Sequence, residues 1–346
     1  MSAGISAKTV DLRDRWRRLA DVADAFAGTP VAVLGDLVLD RFWYGAVQRI
    51  SREAPVPIVR LTRARLLPGC AANTVWNLAA LGADVRPVGV AGEDETGRQL
   101  LDLFRERGLS VDGIVSRPGW ETPTKTRVLA GTLHGPRQQL VRVDSGEENA
   151  LPGDLLAQVR TRLEAAARGA RALVLSDYGY GLVEAAWSPD CVEKVPIVAL
   201  DSRFGLLRYS GLTTATPNEE EFDDACGAPA GDDEAGLAVR GEALRARQGL
   251  KALLVTRGAR GMALFEEGAP PVLLPIVGSD QVVDVTGAGD TVISTYVLAL
   301  CSGASFLEAA ALANVAGGIV VQKHGTATTS VVELKRTLQA WGEGRL

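Results

Sequence analysis

Asp284-Val285-Thr286-Gly287-Ala288-Gly289-Asp290-Thr291 is the stretch from which the rest of the 346-residue chain is read. It follows Gln281-Val282-Val283, a polar and β-prone run, and leads into Val292 to Leu300, which is apolar and long enough for a buried helix. The pattern predicts a loop that turns into a helix N-terminus. Glycines at 287 and 289 admit backbone conformations closed to other residues, so consecutive N–H groups can face one anion while the helix dipole adds partial positive charge. A carboxylate beside such a cradle is repelled by phosphate, which makes chemical sense where it takes a proton from a hydroxyl attacking that phosphate. Asp290 is therefore a candidate general base. The plainer alternative is a first-turn Asp on a core helix.

Composition narrows the class. A chain of this length with 47% apolar residues can bury a sizeable core, and one large α/β domain with an appendage fits it better than three small ones. A net charge of −5 and a pI near 5.3, with no local basic run, argue against nucleic-acid binding. Cys70, Cys191, Cys226 and Cys301 lie far apart without a Cys-x-x-Cys pair, which argues against a zinc site or a disulfide framework. No apolar run reaches the ~18 residues of a membrane span, and the N-terminus is charged where a signal peptide needs an apolar core. A soluble, cytoplasmic protein with no membrane or nucleic-acid partner is expected.

Along the chain, residues 1–10 are expected to be disordered. Leu12, Trp16, Leu19, Ala23 and Phe26 make one face of an amphipathic helix, packed on the domain surface or used as a dimer contact. Three runs, at Val31 to Gly35, Ala172 to Asp177 and Pro196 to Asp201, read as buried parallel strands. Carboxylates stand at their C-terminal ends, the edge where open α/β sheets gather ligands. Asp36 and Asp40 are candidates for sugar hydroxyls, or ordinary turn residues. Phe42 to Leu61, with Pro55 and Pro57, suggests a small β-flap outside the main sheet. Thr122 to Val128 and Gln138 to Asp144 read as two more strands around Gly135-Pro136, with Lys125 and Arg127 on one face, where they suit a substrate phosphate or an exposed basic surface. Asn218-x-x-Glu221 alone is a capping-box pattern.

The string Asp-x-Thr-Gly-Ala-Gly-Asp-Thr resembles the C-terminal motif of the ribokinase, or phosphofructokinase B-type, carbohydrate kinases, which move the ATP γ-phosphate to a sugar hydroxyl. Other phosphate templates fit poorly: there is no Gly-x4-Gly-Lys-Ser/Thr loop, and Val292 holds the third glycine position of a dinucleotide turn. The resemblance runs from about residue 30 to 335 and implies a ribokinase-like three-layer α/β sandwich with a mostly parallel central sheet and a small β-flap lid. It divides the chain into an N-terminal extension, 1–28, and a kinase domain, 29–346, with lid segments at about 40–62 and 120–145.

By that resemblance Asp290 is the catalytic base, and the amides of Gly287, Ala288 and Gly289 form the anion hole. Gly69 and Asn73 meet the sugar. Cys70 replaces the second glycine usual before Ala71-Ala72-Asn73, a departure that narrows the pocket. ATP falls along Asn218, Glu221, Thr256, Gly258, Gly261, Asn314 and Gly317, and Mg2+ is bound by Glu221 through water. Asp284, Thr286 and Gly325 match the family's position for a monovalent cation such as K+.

Within the family, Gly35-Asp-Leu-Val-Leu-Asp-Arg-Phe-Trp-Tyr-Gly45 and Arg49-Ile-Ser-Arg-Glu-Ala-Pro-Val-Pro57 resemble the D-glycero-D-manno-heptose 7-phosphate kinases. In these the flap is a lid and a homodimer contact, and the product leads toward ADP-heptose for lipopolysaccharide or other heptose glycans. Arg142 and Asp144 match positions near the sugar, and Asp201 and Arg203 fall at a strand end where the Arg can bind a substrate phosphate. Tyr180 and Ser202-Arg203 stand where this subgroup carries Lys and Pro-Lys, which keeps another sugar or sugar phosphate open as acceptor; a non-catalytic sugar or nucleotide sensor is the alternative from another class. His134 and His324, the only histidines, are too far apart for a His-x-Gly-His motif, so nucleotide addition is expected from a separate protein.

Overall fold

A computed structural model describes residues 7–131, 138–146, 149–192, 195–227, 233–278 and 283–346. The chain opens with β1 (Lys8–Thr9), α1 (Trp16–Asp24), β2 (Pro30–Gly35), β3 (Leu37–Ile50), β4 (Pro57–Cys70), α2 (Ala71–Ala80), β5 (Asp84–Gly92) and α3 (Glu95–Arg105). Next come β6 (Ile114–Arg117), β7 (Thr124–Gly131), β8 (Gln138–Ser145), α4 (Gly153–Ala167), β9 (Ala172–Asp177), α5 (Leu182–Ala186), β10 (Ile197–Ser202) and β11 (Thr214–Ala215). It finishes with α6 (Glu219–Cys226), α7 (Glu234–Arg247), β12 (Ala252–Thr256), β13 (Met262–Glu266), β14 (Val272–Leu274), α8 (Ala288–Cys301), α9 (Phe306–Val320) and α10 (Val331–Gly342). The strand-like run expected at Gln281-Val282 and the turn at Gly135-Pro136 lie outside the described residues.

A 10-stranded sheet in the order β1-β14-β13-β12-β11-β10-β9-β2-β5-β6 forms the middle layer. Pairing is parallel except where β13 runs against β12 and β14. Its buried strands carry no polar alternation because both faces are covered. Val31 and Val33 belong to one apolar core with residues of α1, α2, α8 and α9, whereas Ala32 and Leu34 belong to the other with α4, α5, α6 and α7. The order reverses at β2, which pairs β9 on one side and β5 on the other, so the crevice beyond its C-terminal end is the natural ligand position.

Residues 1–10 are not all irregular. Lys8 and Thr9 pair in parallel with Val272 and Leu273, because the outer edge of β14 offers backbone groups that an extended segment satisfies. The first helix is shorter than its apolar spacing implied, with a 3-10 turn over Arg13–Arg15 ahead of α1, and it packs against α10. Among the described residues no helix is long and apolar enough to cross a membrane.

Four strands in the order β4-β3-β7-β8 make a second sheet. The flap is longer than expected, since β3 begins at Leu37 and β4 ends at Cys70, both inside the domain. Register separates its faces. Asp40 opposes Lys125, Phe42 opposes Arg127, and these in turn oppose Asp144 and Arg142. The other face carries Trp43, Leu61, Val141 and Val143, all exposed.

Helices α2 and α8 are joined by polar side chains inside an apolar layer. Thr291 donates to Asn77 Oδ1 at 2.6 Å, Asn77 Nδ2 donates to the Asn73 carbonyl at 2.9 Å, and Ser294 donates to the Thr74 carbonyl at 3.3 Å. Asn77→Ala removes the acceptor at 2.6 Å and leaves the buried Thr291 hydroxyl only the Gly287 carbonyl at 3.4 Å, and is expected to lower the urea-unfolding free energy by about 1–3 kcal/mol. Urea titration of the two proteins at one pH measures the loss.

Candidate active site

Asp290 lies in the first turn of α8, 4% exposed. Three neighbours donate to it: Asn73 to Oδ2 at 2.7 Å, Thr74 to Oδ1 at 2.5 Å and Tyr178 to Oδ1 at 3.1 Å. Burial pushes its carboxyl up to about 6, the three donors pull it back, and Asp40 adds to the rise. It is thus ionised at neutral pH and still basic enough to accept a proton. Tyr178, pushed well above 10 by burial and by the Asp290 charge, stays a phenol and keeps donating.

Glycine at 287 is required on two counts. Its φ is +78°, and a Cβ there would come within 2.6 Å of Asn73 Nδ2, the group that holds Asp290. The Ala288 amide donates to the Val285 carbonyl at 3.2 Å and the Thr291 amide to the Gly287 carbonyl at 3.2 Å. The amides of Gly287, Gly289 and Asp290 carry no bond among the described residues. An anion at this helix end therefore finds Gly287, Gly289 and Asp290 open, while Ala288 would have to exchange its partner.

At the end of β2, Asp36 Oδ2 accepts the amides of Tyr178 at 2.8 Å and Tyr180 at 3.3 Å; Oδ1 is buried without a partner among the described residues. Burial pushes this carboxyl up to about 7 against those amide bonds, with Asp177 adding to the rise. Asn73 Oδ1 is likewise buried and unpaired among the described residues. Asp40 receives Arg127 at 2.7 Å, and the close approach of Gly69 leaves no room for a Cβ, which would meet Asp40 Cγ at 2.7 Å. Lys125, 8% exposed, donates to Cys70 Sγ at 3.3 Å and lies 5.7 Å from the ring centres of both Tyr178 and Tyr180. Asp201, at the end of β10, has its carboxyl driven up by burial and by the charges of Asp290, Glu221 and Asp177. Arg142 and Asp144 form a two-pronged ion pair at 2.9 and 2.8 Å nearer the flap surface, and Arg203 is exposed with its charge acting on Glu221.

On the other side of Asp290 a cavity of 530 Å³ opens, with Ala288, Gly289 and Val292 of α8 in its wall. Of the residues expected along ATP, Asn218, Thr256, Gly258, Gly261, Asn314 and Gly317 line it. Asn314 donates to the Pro275 carbonyl at 2.6 Å, and Met262, Ile276 and Val277 supply apolar walls suited to a base. Glu221 is not in the wall. Its Oε2 accepts the Asn218 amide at 2.9 Å while its own amide donates to Asn218 Oδ1 at 2.9 Å, so the capping box exists, and the Glu221 charge acts on Asp201. Among the described residues no group of three His, Cys, Asp or Glu side chains could cage a metal. Glu221, a carboxylate next to Asn218 of the cavity wall, fits Mg2+, which keeps most of its waters and leans on phosphate oxygens.

Asp284 closes the loop from behind, accepting the Thr286 amide on Oδ1 and the Gly325 amide on Oδ2, each at 2.9 Å. These bonds hold its carboxyl below the usual range despite partial burial. Two functional neighbours of Asp290 have no separate signal in the sequence reading: Thr74, one residue beyond Asn73, and Tyr178, one beyond the strand-ending Asp177. Their positions, in the first turn of α2 and at the sheet edge, are where a search for donors would begin.

Comparison with known proteins places this geometry. The family of pfkB carbohydrate kinases matches residues 30–333. The chain is 42% identical over 321 residues to the bifunctional protein HldE of Nitrosococcus oceani, covering 90% of this chain and 64% of that one. It is 44% identical over 323 residues to the bifunctional protein HldE of Azotobacter vinelandii, covering 91% and 64%. It therefore spans less than two thirds of the length of either relative. Among solved structures, Arabidopsis thaliana ribokinase complexed with ribose and ATP superposes with a TM-score of 0.69 at 21% identity, covering 90% of this chain and 99% of that one, so the fold is ribokinase-like.

Folded Asp36 binds its proton more tightly than an unfolded Asp, so its contribution to stability is full below about 3.8 and is lost as pH rises through about 7. Asp36→Asn removes that charge and keeps an acceptor for the two amides. At pH 8 the variant is expected to unfold at a higher Tm than the parent, by a free energy on the order of a few kcal/mol. At pH 4 the advantage should shrink toward zero, and paired thermal melts at the two pH values measure it.

Proposed function

This chain belongs to the pfkB family of carbohydrate kinases, and from that premise we propose that it transfers the ATP γ-phosphate to the C1 hydroxyl of D-glycero-D-manno-heptose 7-phosphate, giving the 1,7-bisphosphate, a step toward ADP-heptose. The observation that carries the reading is the place of Asp290, between a crevice that holds two unpaired oxygen acceptors and the buried Lys125 ammonium and a nucleotide-sized cavity. Asp36 Oδ1 and Asn73 Oδ1 accept sugar hydroxyls, with Asp40, Gly69 and Asp201 bounding the ring. Lys125 and Arg127 receive the 7-phosphate, with Arg142, Asp144 and Arg203 at the entrance.

Asp290 takes the proton of the C1 hydroxyl on a carboxylate oxygen as the alkoxide oxygen attacks the γ-phosphorus, and the β–γ bridging oxygen leaves with ADP. The free amides at the N-terminus of α8 face the charge that gathers on the transferred group. Glu221 and Asn218 would hold Mg2+ through water at the ATP phosphates, where the ion supplies charge neutralisation. Asp284, Thr286 and Gly325 suit a monovalent cation such as K+ behind the anion hole, because the Asp284 carboxylate has no ion pair among the described residues. Support for the heptose acceptor comes from residues 35–57 and from the relatives above.

The expected result is ATP-dependent turnover of one anomer of D-glycero-D-manno-heptose 7-phosphate in preference to the other anomer, fructose 6-phosphate and ribose. Asp290→Asn should lower kcat by about 10²–10⁴-fold with the ATP Kd little changed. The parent rate should fall as pH drops through about 6. Thr74→Val and Tyr178→Phe each remove a donor from the carboxylate, so the acidic limb of kcat should move to higher pH. Preference for a different sugar on the same panel would keep the kinase and move the substrate.

A homodimer through the flap is the assembly we favour. Trp43, Leu61, Val141 and Val143 share an exposed apolar face on a sheet whose other face holds the site. Trp43→Glu is expected to convert a dimer into a monomer in sedimentation-velocity runs.

A further inference from the structure

Cys70 has a φ of +53° and a ψ of −133°, the only positive φ outside glycine among the described residues. It ends β4 and caps α2, between Gly69, which clears Asp40, and Asn73 and Thr74, which hold Asp290. This backbone region is almost closed to a residue with a Cβ, and strain of that kind persists only where the surroundings over-determine it. Glycine would relieve it. The cysteine side chain is instead engaged, with its sulfur accepting from Lys125 Nζ at 3.3 Å.

Lys125 is the unusual partner. Its ammonium is buried and has no carboxylate within ion-pair distance among the described residues; it has the sulfur and the faces of two tyrosines. A buried ammonium with so few acceptors awaits an anion. Asp36 Oδ1 and Asn73 Oδ1, buried and unpaired on the neighbouring elements, await hydroxyl donors. Together they describe a phosphorylated polyol. Tyr180 contributes a ring to this wall and no second ammonium, so the direction in which Lys125 points decides where the phosphate sits.

We infer that Cys70 is a positioning residue for the acceptor: its sulfur, held in place by a strained backbone, aims the Lys125 ammonium at the phosphate of the incoming sugar. Burial raises the Cys70 thiol, so it remains a neutral S–H that accepts the lysine proton and offers no reactive thiolate. The inference rests on the reading of Lys125 as a receiver of the acceptor's phosphate.

The test is a double-mutant cycle read by steady-state kinetics with heptose 7-phosphate, or with the sugar phosphate that the parent turns over best. Cys70→Gly should raise Tm by about 2 °C or more, because strain is lost, yet raise KM for the sugar phosphate about tenfold with the ATP KM within about twofold. Cys70→Ser, which keeps an acceptor at the same place, should hold that KM within about threefold of the parent. In a Lys125→Ala background, adding Cys70→Gly should change KM by less than about twofold. An unchanged KM in Cys70→Gly, or the same tenfold rise with Lys125 already removed, overturns the role of Cys70 and leaves the kinase reading intact. If Lys125→Ala itself leaves KM unchanged, the assignment of Lys125 is wrong and the inference falls with it.

Discussion

The site depends on one buried carboxylate. Asp290 lies inside a protein layer where an unpaired anion would cost several kcal/mol, and it stays ionisable near neutral pH because three donors reach it from two other elements. Two come from the first turn of α2 and the third from the segment after β9. Those elements meet only because the strand order reverses at β2, with α2 packed on α8 through Asn77, Thr291 and Ser294. Gly287 is the concession the backbone makes, since any side chain there would push Asn73 away. Base strength, helix packing and sheet topology are thus one constraint.

The flap obeys a second constraint, imposed by having two unlike faces. Strands alternate their side chains, so a sheet that presents Asp40, Lys125, Arg127 and Arg142 to a ligand presents residues such as Trp43, Val141 and Val143 on its reverse. A solvated reverse would ordinarily be polar. Its apolar character makes sense if the flap is covered by another protein surface, and a covered lid is also held at a fixed height over the acceptor.

Much of this was legible in the sequence, for reasons that differ by residue. The parallel strands appear as continuous apolar runs because both faces are buried, and the carboxylates after them mark the ligand edge. Asp290 is legible as a first-turn residue behind a glycine loop, because the glycines admit the turn and an Asp is favoured at the start of a helix. Contacts between distant segments were not legible. The bond from Thr74 to Asp290 joins residues 216 positions apart and that from Tyr178 spans 112, and neither threonine nor tyrosine announces a partner at such range. The pairing of Lys8–Thr9 with β14 is of the same kind. Cys70 was visible as a departure from a glycine, but its strain is a matter of φ, which no composition or periodicity reports.

The carboxylates of the crevice repel one another, and that repulsion is informative. Asp36, Asp201, Glu221 and Asp290 are all driven upward by burial, and the Asp290 charge raises Asp201 further while Asp40 raises Asp290. A fold selected for stability alone would replace some of them with neutral residues, so their persistence points to a ligand that supplies hydroxyl donors and cations in the bound state. An anionic acceptor makes the balance harder, because each phosphate brought near Asp290 disfavours the ionised base. In the reading proposed above, separation meets that difficulty: Lys125 and Arg127 would take one phosphate at the flap, the open amides of α8 would face the other, and Asp290 lies on hydrogen bonds of its own. Catalysis at neutral pH then requires that both anions stay at those two ends, which is why the direction of a single lysine matters to a carboxylate it does not touch.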